Sequence, residues 1–509
     1  MNLSVLITTS GTGSRLGELT DFTNKSLIRI GDKPALSHIV EYYPEETNYV
    51  ITLGHFGEYV KHFLLVAYPK RNFVFIKVDK FQGPGSSLGH SMLQAKAELQ
   101  CPFIFHASDT ILPHTASIPN LDNNWCGGSP KTESSSYRTL NTKDNKVIKI
   151  NDQGEISFDY CYIGLCGIKD YDLFWNELEK IPNTNQLSDV HVINKMLETV
   201  EFNCEKIKGW LDIGNVTELN HTRNEFKTAV EILDKKNESI YLFKDHVIKF
   251  FADPQVNKNR VKRAEMLKGL VPELISSSKN FYQYKKRNGS LFSKSVNPSS
   301  FKRFLQWAQS NLWKERQLDN FKQVCFDFYV RKTSARIDLY LNEQKDSAQA
   351  INGETIPPAK ELLSQIDEDW LCSGIPSQFH GDFILDNVLE TKDGFCLLDW
   401  RQDFGGNLKV GDLYYDLAKL NHNLTINHGI VERNLFDSSA SNCSILCSST
   451  LMECKELLHK FIKDNNYDLH KVEILTSIIW LNMAALHEYP FNDFLFDFGK
   501  YNLHKTLNK

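Results

Sequence analysis

Short apolar runs alternate with stretches of helical periodicity through the first hundred residues. Residues 3–8, 49–53, 73–78 and 103–106 are mainly apolar runs bounded by polar or glycine-rich segments, the pattern of buried strands. Between them, residues 35–43, 58–67 and 88–99 repeat apolar side chains every three or four positions and predict helices. Strand and helix in turn predict an α/β domain with a Rossmann-like, mainly parallel sheet, whose ligands gather beyond the carboxyl ends of the strands. A helical pattern over 218–233 ends in Asp234-Lys235-Lys236-Asn237-Glu238, which places a domain boundary at 234/235. Beyond it, 240–243 and 246–251 read as strands paired about a Lys244-Asp245 turn, and 281–284 as a further strand. From about residue 298 the pattern is mostly helical, apart from a hairpin made of Val388-Leu389, a Lys392-Asp393-Gly394 turn and residues 395–398.

Composition narrows the class. A chain of 509 residues is too long for one ordinary core, so two or three domains are expected. The 41% hydrophobic and 24% charged fractions are those of a soluble globular protein, and a net charge of -5 gives no general pull toward nucleic acid. No apolar run reaches the roughly 18 residues that span a bilayer, so no membrane insertion is expected. The start lacks a basic n-region and runs straight into a strand pattern, which does not fit a signal peptide. The 11 cysteines include no C-x-x-C, and the closest pairs are Cys161/Cys166 and Cys443/Cys447. Most lie among apolar neighbours, as Cys396 does, and are expected to be reduced, buried thiols of a cytoplasmic protein, with a zinc site as the lesser alternative.

Two regions carry candidate chemistry. After the first strand, Ser10-Gly11-Thr12-Gly13-Ser14-Arg15-Leu16-Gly17 precedes Lys25. Gly11 and Gly13 allow a tight turn that points N–H groups at phosphate oxygens, and Arg15 and Lys25 offset triphosphate charge. The loop has neither the third glycine of a dinucleotide fingerprint nor the G-K-[ST] of a P-loop. It resembles the G-x-G-[ST]-R-[LM]…K signature of sugar-phosphate nucleotidylyltransferases. That resemblance implies nucleotide binding by Gly11, Thr12, Gly13, Ser14, Arg15 and Lys25, with Arg15 and Lys25 also catalytic. It further implies a Mg²⁺ held by Asp109, at the end of the fourth strand, and by Asp212 in Trp210-Leu211-Asp212-Ile213-Gly214. Gly83-Pro84-Gly85-Ser86-Ser87 is similar to the family's second glycine loop, so Gly85 and Ser86 would lie against base and ribose. Asn24 stands where that family usually has proline, and Thr8-Thr9 replace its small pair, so the base (CTP, UTP, GTP or dTTP) stays open. His55, His90 and His106 are read as satisfied polar groups rather than catalysts.

In the second half, His380-Gly381-Asp382 is followed by Asn387 and, twelve residues after that, by Asp399. Phosphoryl transfer needs an acceptor hydroxyl aligned by a carboxylate and Mg²⁺ held by hard oxygens; Asp382 suits the first role, Asn387 and Asp399 the second. The segment resembles the catalytic loop and metal aspartate of the aminoglycoside phosphotransferase/choline kinase family, as does Gly411-Asp412-Leu413-Tyr414-Tyr415-Asp416 after it. The resemblance implies a two-lobed α+β protein-kinase-like fold for residues 235–509, with an N-lobe over about 237–290 and a helical C-lobe from about 295. It also implies that Lys249 grips ATP phosphates and pairs with Glu265 on the following helix, with 281–284 as a hinge strand. The aromatic tail, with Trp480, Tyr489, Phe491, Phe494, Phe496 and Phe498, reads as core; the alternative is a cation–π cage for a quaternary ammonium acceptor.

Together these readings predict a bifunctional enzyme. Residues 235–509 would phosphorylate a small hydroxyl compound with ATP, and residues 1–234 would join the product to a nucleoside monophosphate from a second NTP, releasing pyrophosphate. The expected acceptor is a sugar, and the expected product a nucleotide-activated precursor for capsule, lipopolysaccharide or other cell-surface assembly. Choline or ethanolamine, which would make a kinase–cytidylyltransferase, and glycerol-like polyols are alternatives. So is a regulatory nucleotide-binding protein with one inactive domain. Small-molecule substrates are the expected partners, and homo-oligomerisation is left open.

Overall fold

The computed structural model describes residues 3–113, 115–130, 134–184, 186–226, 228, 235, 237–342, 344–347, 349–439 and 442–509. The protein is mixed α/β and divides into two compact units, Met1–Pro254 with Ile275–Tyr284, and Gln255–Leu274 with Lys285–Lys509. Among the described residues no helix is long and apolar enough to cross a membrane.

The first unit is built on a nine-stranded sheet. Its strands in chain order are β1 (Ser4–Thr8), β2 (Asn48–Leu53), β3 (Asn72–Lys77), β4 (Phe103–Ala107), β5 (Asn124–Ser129), β6 (Thr139–Lys143), β7 (Lys146–Asn151), β8 (Tyr160–Ile168) and β9 (Phe202–Lys206). They lie in the order β3-β2-β1-β4-β8-β5-β9-β7-β6. Helices α1 (Ala35–Tyr42), α2 (Gly57–Ala67), α3 (Leu88–Leu93), α4 (Tyr171–Lys180), α5 (Asp189–Met196) and α6 (Val216–Glu225) accompany it. Val5, Leu6 and Ile7 of the central β1 are wholly buried, which is why that strand is a continuous apolar run. Edge strand β3 instead alternates exposed and half-buried positions.

β3, β2, β1 and β4 are parallel, as the sequence pattern predicts. The sheet as a whole is mixed, however, and the expectation of a mainly parallel sheet is corrected: β8 runs antiparallel to β4, β5 and β6, and β7 antiparallel to β6 and β9. Gly164, at φ +69°, breaks the register of β8 between Tyr162 and Cys166. A Cβ there would come within 2.8 Å of the Ala107 Cβ, so glycine permits both the bulge and the close approach to β4. The helix expected over 88–99 is α3 followed by a separate 3₁₀ turn at Lys96–Glu98. Of the helix expected over 218–233, the structure describes α6; residues 227 and 229–233 lie outside the described residues.

A second, four-stranded sheet follows, with β10 (Glu238–Leu242), β11 (His246–Phe251), β12 (Leu274–Ser277) and β13 (Phe281–Lys285) in the order β10-β11-β13-β12. Tyr241, Phe243, Ile248, Phe250 and Phe281 share one buried core with Phe63 of α2; the Phe63 ring lies 5.4 Å from Tyr241 and 5.9 Å from Phe281. By compactness, then, these strands go with the first unit, whereas the motifs group them with the residues after 234.

The second unit is mostly helical. It contains α7 (Pro254–Met266), α8 (Pro298–Asn311), α9 (Lys332–Leu341), the hairpin β14 (Val388–Thr391) and β15 (Gly394–Leu397), then α10 (Leu413–Asn423), α11 (Ser449–Asp464), α12 (Leu469–Ala484) and α13 (Phe491–Leu507). In the aromatic tail, Trp480, Phe491, Phe494, Phe496 and Phe498 are buried, and Trp480 and Phe494 each pack on Phe498, while Tyr489 is 79% exposed. These five are core. The 11 cysteines are free thiols and nine of them are buried.

Candidate functional sites

In the first unit, β1 delivers the chain into the glycine loop. Gly13 adopts φ +67°, and a Cβ there would meet Thr20 Cγ2 at 3.0 Å and Lys25 Cβ at 3.1 Å, so the loop folds back onto the segment carrying Lys25. Ser14 opens a 3₁₀ helix over Ser14–Thr20, and Arg15 is exposed at its start. Asn24 is completely buried: its Nδ2 donates to Thr9 O (2.8 Å) and His55 O (2.6 Å), and its Oδ1 accepts from Ser26 N (2.9 Å). An amide at this position therefore ties the ends of β1 and β2 to the turn that presents Lys25, a cross-link proline could not make. A cavity of about 380 Å³ is lined by Gly11, Thr12, Arg15, Lys25, Ser86 and Asp109, with Thr8, Ser10, Phe81, Ser87 and Ser91 among its other walls.

Lys25 Nζ lies 2.7 Å from Asp109 Oδ2. Asp109 and Asp212, far apart in sequence, are brought together because Asp212 pairs with Thr110 in a two-residue antiparallel bridge and Ile213 N donates to Asp109 O (3.2 Å). Burial would raise the Asp109 carboxyl, but the Lys25 charge and hydrogen bond outweigh it and hold it below its ordinary range. Burial and then the Asp109 charge push Asp212 up to about 6. Two carboxylates whose charges oppose each other in a half-buried site form an oxygen pair short of positive charge, and this donor set fits Mg²⁺. Gly85, at φ +85°, accepts from Asn183 Nδ2 (3.0 Å) through its carbonyl, and Ser87 caps α3 by accepting from His90 N (3.0 Å), which fixes the second glycine loop. His106 bonds Tyr43 Oη and Thr110 O, and His90 bonds Asp79, so both are satisfied polar groups.

In the second unit, His380 is fully buried; its Nε2 donates to Leu398 O (2.8 Å), and burial pulls the ring down to about 4, so it is neutral near pH 7. It pins the loop bearing Asp382 to the end of the hairpin bearing Asp399. Asp416, on α10, accepts from the N–H groups of His380 (2.8 Å) and Gly381 (2.7 Å), and burial pushes its carboxyl up to about 6. Gly381 sits at φ +87° with Arg401 Cβ 2.7 Å from where its own Cβ would be. Asp382 Oδ1 lies 2.8 Å from Lys419 Nζ, and Asp382 Oδ2 accepts from Asn387 Nδ2 (3.1 Å). Burial alone would raise the Asp382 carboxyl, but Lys419 more than reverses it, to about 2. Leu398 N donates to Asn387 O (2.7 Å), so the two ends of the hairpin hold Asn387 and Asp399 together. Asp399 has a left-handed backbone (φ +53°) and is ion-paired with Arg260 of α7. A carboxylate compensated by an arginine, beside an amide oxygen, is again a hard oxygen set that fits Mg²⁺.

Lys249 is buried on β11 opposite Ile240, in the first unit. Glu265 is exposed on α7, in the second. The buried positions of α7 are Asn257, Arg260, Arg263 and Ala264. Arg263 donates to the carbonyls of Phe379, His380, Arg401 and Leu408 and so braces the Asp382 loop from beneath. Sequence reasoning assigned no role to Arg260, Arg263, Asp416 or Lys419. Arg260 and Arg263 are spaced to share a helix face, and Asp416 and Lys419 likewise; those spacings were the available signal. Among the described residues no group of three or more His, Cys, Asp or Glu is placed to hold a metal, so the zinc alternative finds no site there.

No family model and no curated protein matches the chain. Among solved structures it is similar to the inositol-1-phosphate CTP transferase of T. maritima, with 15% identity, 45% of this chain and 98% of that one covered, and a TM-score of 0.37. It is similar to the CTP:phosphocholine cytidylyltransferase LicC of Streptococcus pneumoniae, with 18% identity, 45% and 100% coverage and a TM-score of 0.39. It is also similar to a UDP-glucose pyrophosphorylase of Acinetobacter baumanii, with 13% identity, 44% and 93% coverage and a TM-score of 0.39. Likenesses this distant carry no functional inference, which rests instead on the residues described above.

Proposed function

We propose that the protein is a bifunctional transferase, with functional modules at about 1–234 and 235–509. The later module phosphorylates a small hydroxyl compound with ATP, and the earlier one couples the phosphomonoester to a nucleoside monophosphate from a second NTP. The observation that carries the reading is that each half brings together a pair of hard oxygen donors beside cations: Asp109 and Asp212 with Lys25, and Asn387 and Asp399 with Arg260, with the Asp382–Lys419 pair next to them.

Mg²⁺, when bound, would screen the phosphate oxygens in both sites. In the kinase site Asp382 orients the acceptor hydroxyl. A carboxyl held at about 2 is a weak base, which suits a loose transition state in which the hydroxyl proton leaves late. In the nucleotidyl site Gly11, Thr12, Gly13 and Ser14 cradle phosphates with backbone N–H groups, and Gly85 and Ser86 lie against the nucleoside. Arg15 and Lys25 draw off charge as pyrophosphate leaves the α-phosphorus. Kinase action precedes nucleotidyl transfer if both sites serve one substrate, since only the phosphorylated compound can attack. A sugar acceptor, a cytoplasmic enzyme and a product used in cell-surface assembly complete the reading. Asp382→Ala and Asp109→Ala, made separately, test it: the first should abolish ATP-dependent phosphorylation of the acceptor and the second NTP-dependent pyrophosphate release. An unchanged rate in either removes that site.

A further inference from the structure

Resting on the kinase reading, we propose that the acceptor carries an anionic group, a carboxylate or phosphate monoester near its hydroxyl, and that Lys332, Arg336, Arg401 and Lys419 receive it beside Asp382. The Lys332 ammonium lies 3.9 Å from the centre of the Phe328 ring, and the Arg401 guanidinium lies 5.1 Å from the same ring. Arg401 is fixed against the Asp382 loop: its N–H donates to His380 O (3.0 Å) and its Cβ packs on Gly381. Lys419 reaches Asp382 itself, at 2.8 Å. Arg336 lies one helical turn beyond Lys332 on α9.

Few carboxylates balance these cations. Asp382 is engaged by Lys419, and Asp403 accepts from Gly406 N (3.1 Å). Among the described residues, no carboxylate oxygen lies within ion-pair distance of Lys332, Arg336 or Arg401. Burial first, then Arg401, Arg336 and Lys419, pull Lys332 down to about 6, with Asp403 opposing, so its amine takes up a full charge near pH 7 only with an anion beside it. Stacking on Phe328 explains how one cation is tolerated there; it does not explain why several converge. Like charges pressed together at the side of a catalytic loop are relieved by a bound anion, whereas a quaternary ammonium acceptor such as choline would be repelled.

The test uses the full chain with ATP and Mg²⁺. Its acceptor panel sets glycerate and glycerol 3-phosphate against glycerol, gluconate against glucose, and includes choline; phosphorylated products are detected by mass spectrometry. An anionic member should be preferred over its neutral counterpart by about 100-fold or more in kcat/KM. Arg336→Ala and Lys332→Met should each raise its KM by about 10-fold with little change in kcat, and Lys332→Arg should restore it. The pairs distinguish carboxylate from phosphate. Equal or better turnover of glycerol, glucose or choline overturns the proposal and leaves the kinase standing. If nothing is phosphorylated, calorimetric titration of glycerate and glycerol 3-phosphate decides. Saturable binding lost in Arg336→Ala upholds the anion site while the kinase reading falls; no saturable binding overturns the anion site as well.

Discussion

Replacing Lys419 by methionine isolates the interaction that sets the charge of Asp382. With Lys419 Nζ 2.8 Å away, the Asp382 carboxyl is held at about 2, although burial and the Asp399 charge both work to raise it. Without the ammonium those two effects remain, and the carboxyl should rise above its ordinary 3.8. A difference of about two pH units corresponds to roughly 2.7 kcal/mol. Because the Asp382 side chain is 37% exposed, solvent screening should reduce this to about 1 kcal/mol. The sign follows from the direction. A carboxyl depressed by folding contributes stability above its unfolded range and loses it as pH falls through the folded value. Lys419→Met should therefore be destabilised by about 1 kcal/mol near pH 7, by about half of that near pH 3, and by almost nothing once pH falls below about 2, where protonated Asp382 no longer needs a partner. Urea unfolding of both proteins across this range, completed by a double-mutant cycle with Asp382→Asn, measures the coupling. A deficit that is the same at every pH would show that Lys419 acts through its methylene packing and would refute the electrostatic account.

Two further outcomes follow from the first unit. Asp212, raised to about 6 by burial and by Asp109, ionises in the folded chain only at higher pH than when unfolded, so it detracts from stability as pH rises from about 4 through 6. Asp212→Asn should then stabilise the metal-free protein by about 1–2 kcal/mol at pH 8 and leave it unchanged at pH 4, measured by thermal unfolding in chelator, while pyrophosphate release falls by about 100-fold or more. Asn24→Ala removes the donors to Thr9 O and His55 O and the acceptor for Ser26 N; it should cost about 2–4 kcal/mol in chemical denaturation and raise KM for the NTP.

The parallel strands were legible because β1, β2 and β4 are buried on both faces and their sequences are mainly apolar. The antiparallel half was not. Its strand β5, Asn124-Trp125-Cys126-Gly127-Gly128-Ser129, is wholly buried yet carries two glycines and little β-branching, since Ile163 and Tyr160 crowd the space a side chain would need. Motif spacing singled out Asp109, Asp212, Asp382, Asn387 and Asp399, because turn and hairpin chemistry places these residues locally. It did not find Arg260, Arg263 or Lys419. Charged residues on α7 read as a solvated face, and only the tertiary fold shows that Arg260 and Arg263 are buried against carbonyls and Asp399. Glu265, which motif matching selected on the same helix, is exposed.

The β14–β15 hairpin also bears on where the chain can change length. Thr391 pairs with Gly394 across the exposed Lys392-Asp393 tip, and the ladder runs in step down to Val388 and Leu397. Extra residues looped out at the tip would leave that ladder untouched, whereas one residue added within either strand would turn its remaining side chains to the opposite face. Descendants of this sequence should therefore accumulate insertions between 391 and 394, a natural place to graft a tag or reporter, and almost none between 395 and 399.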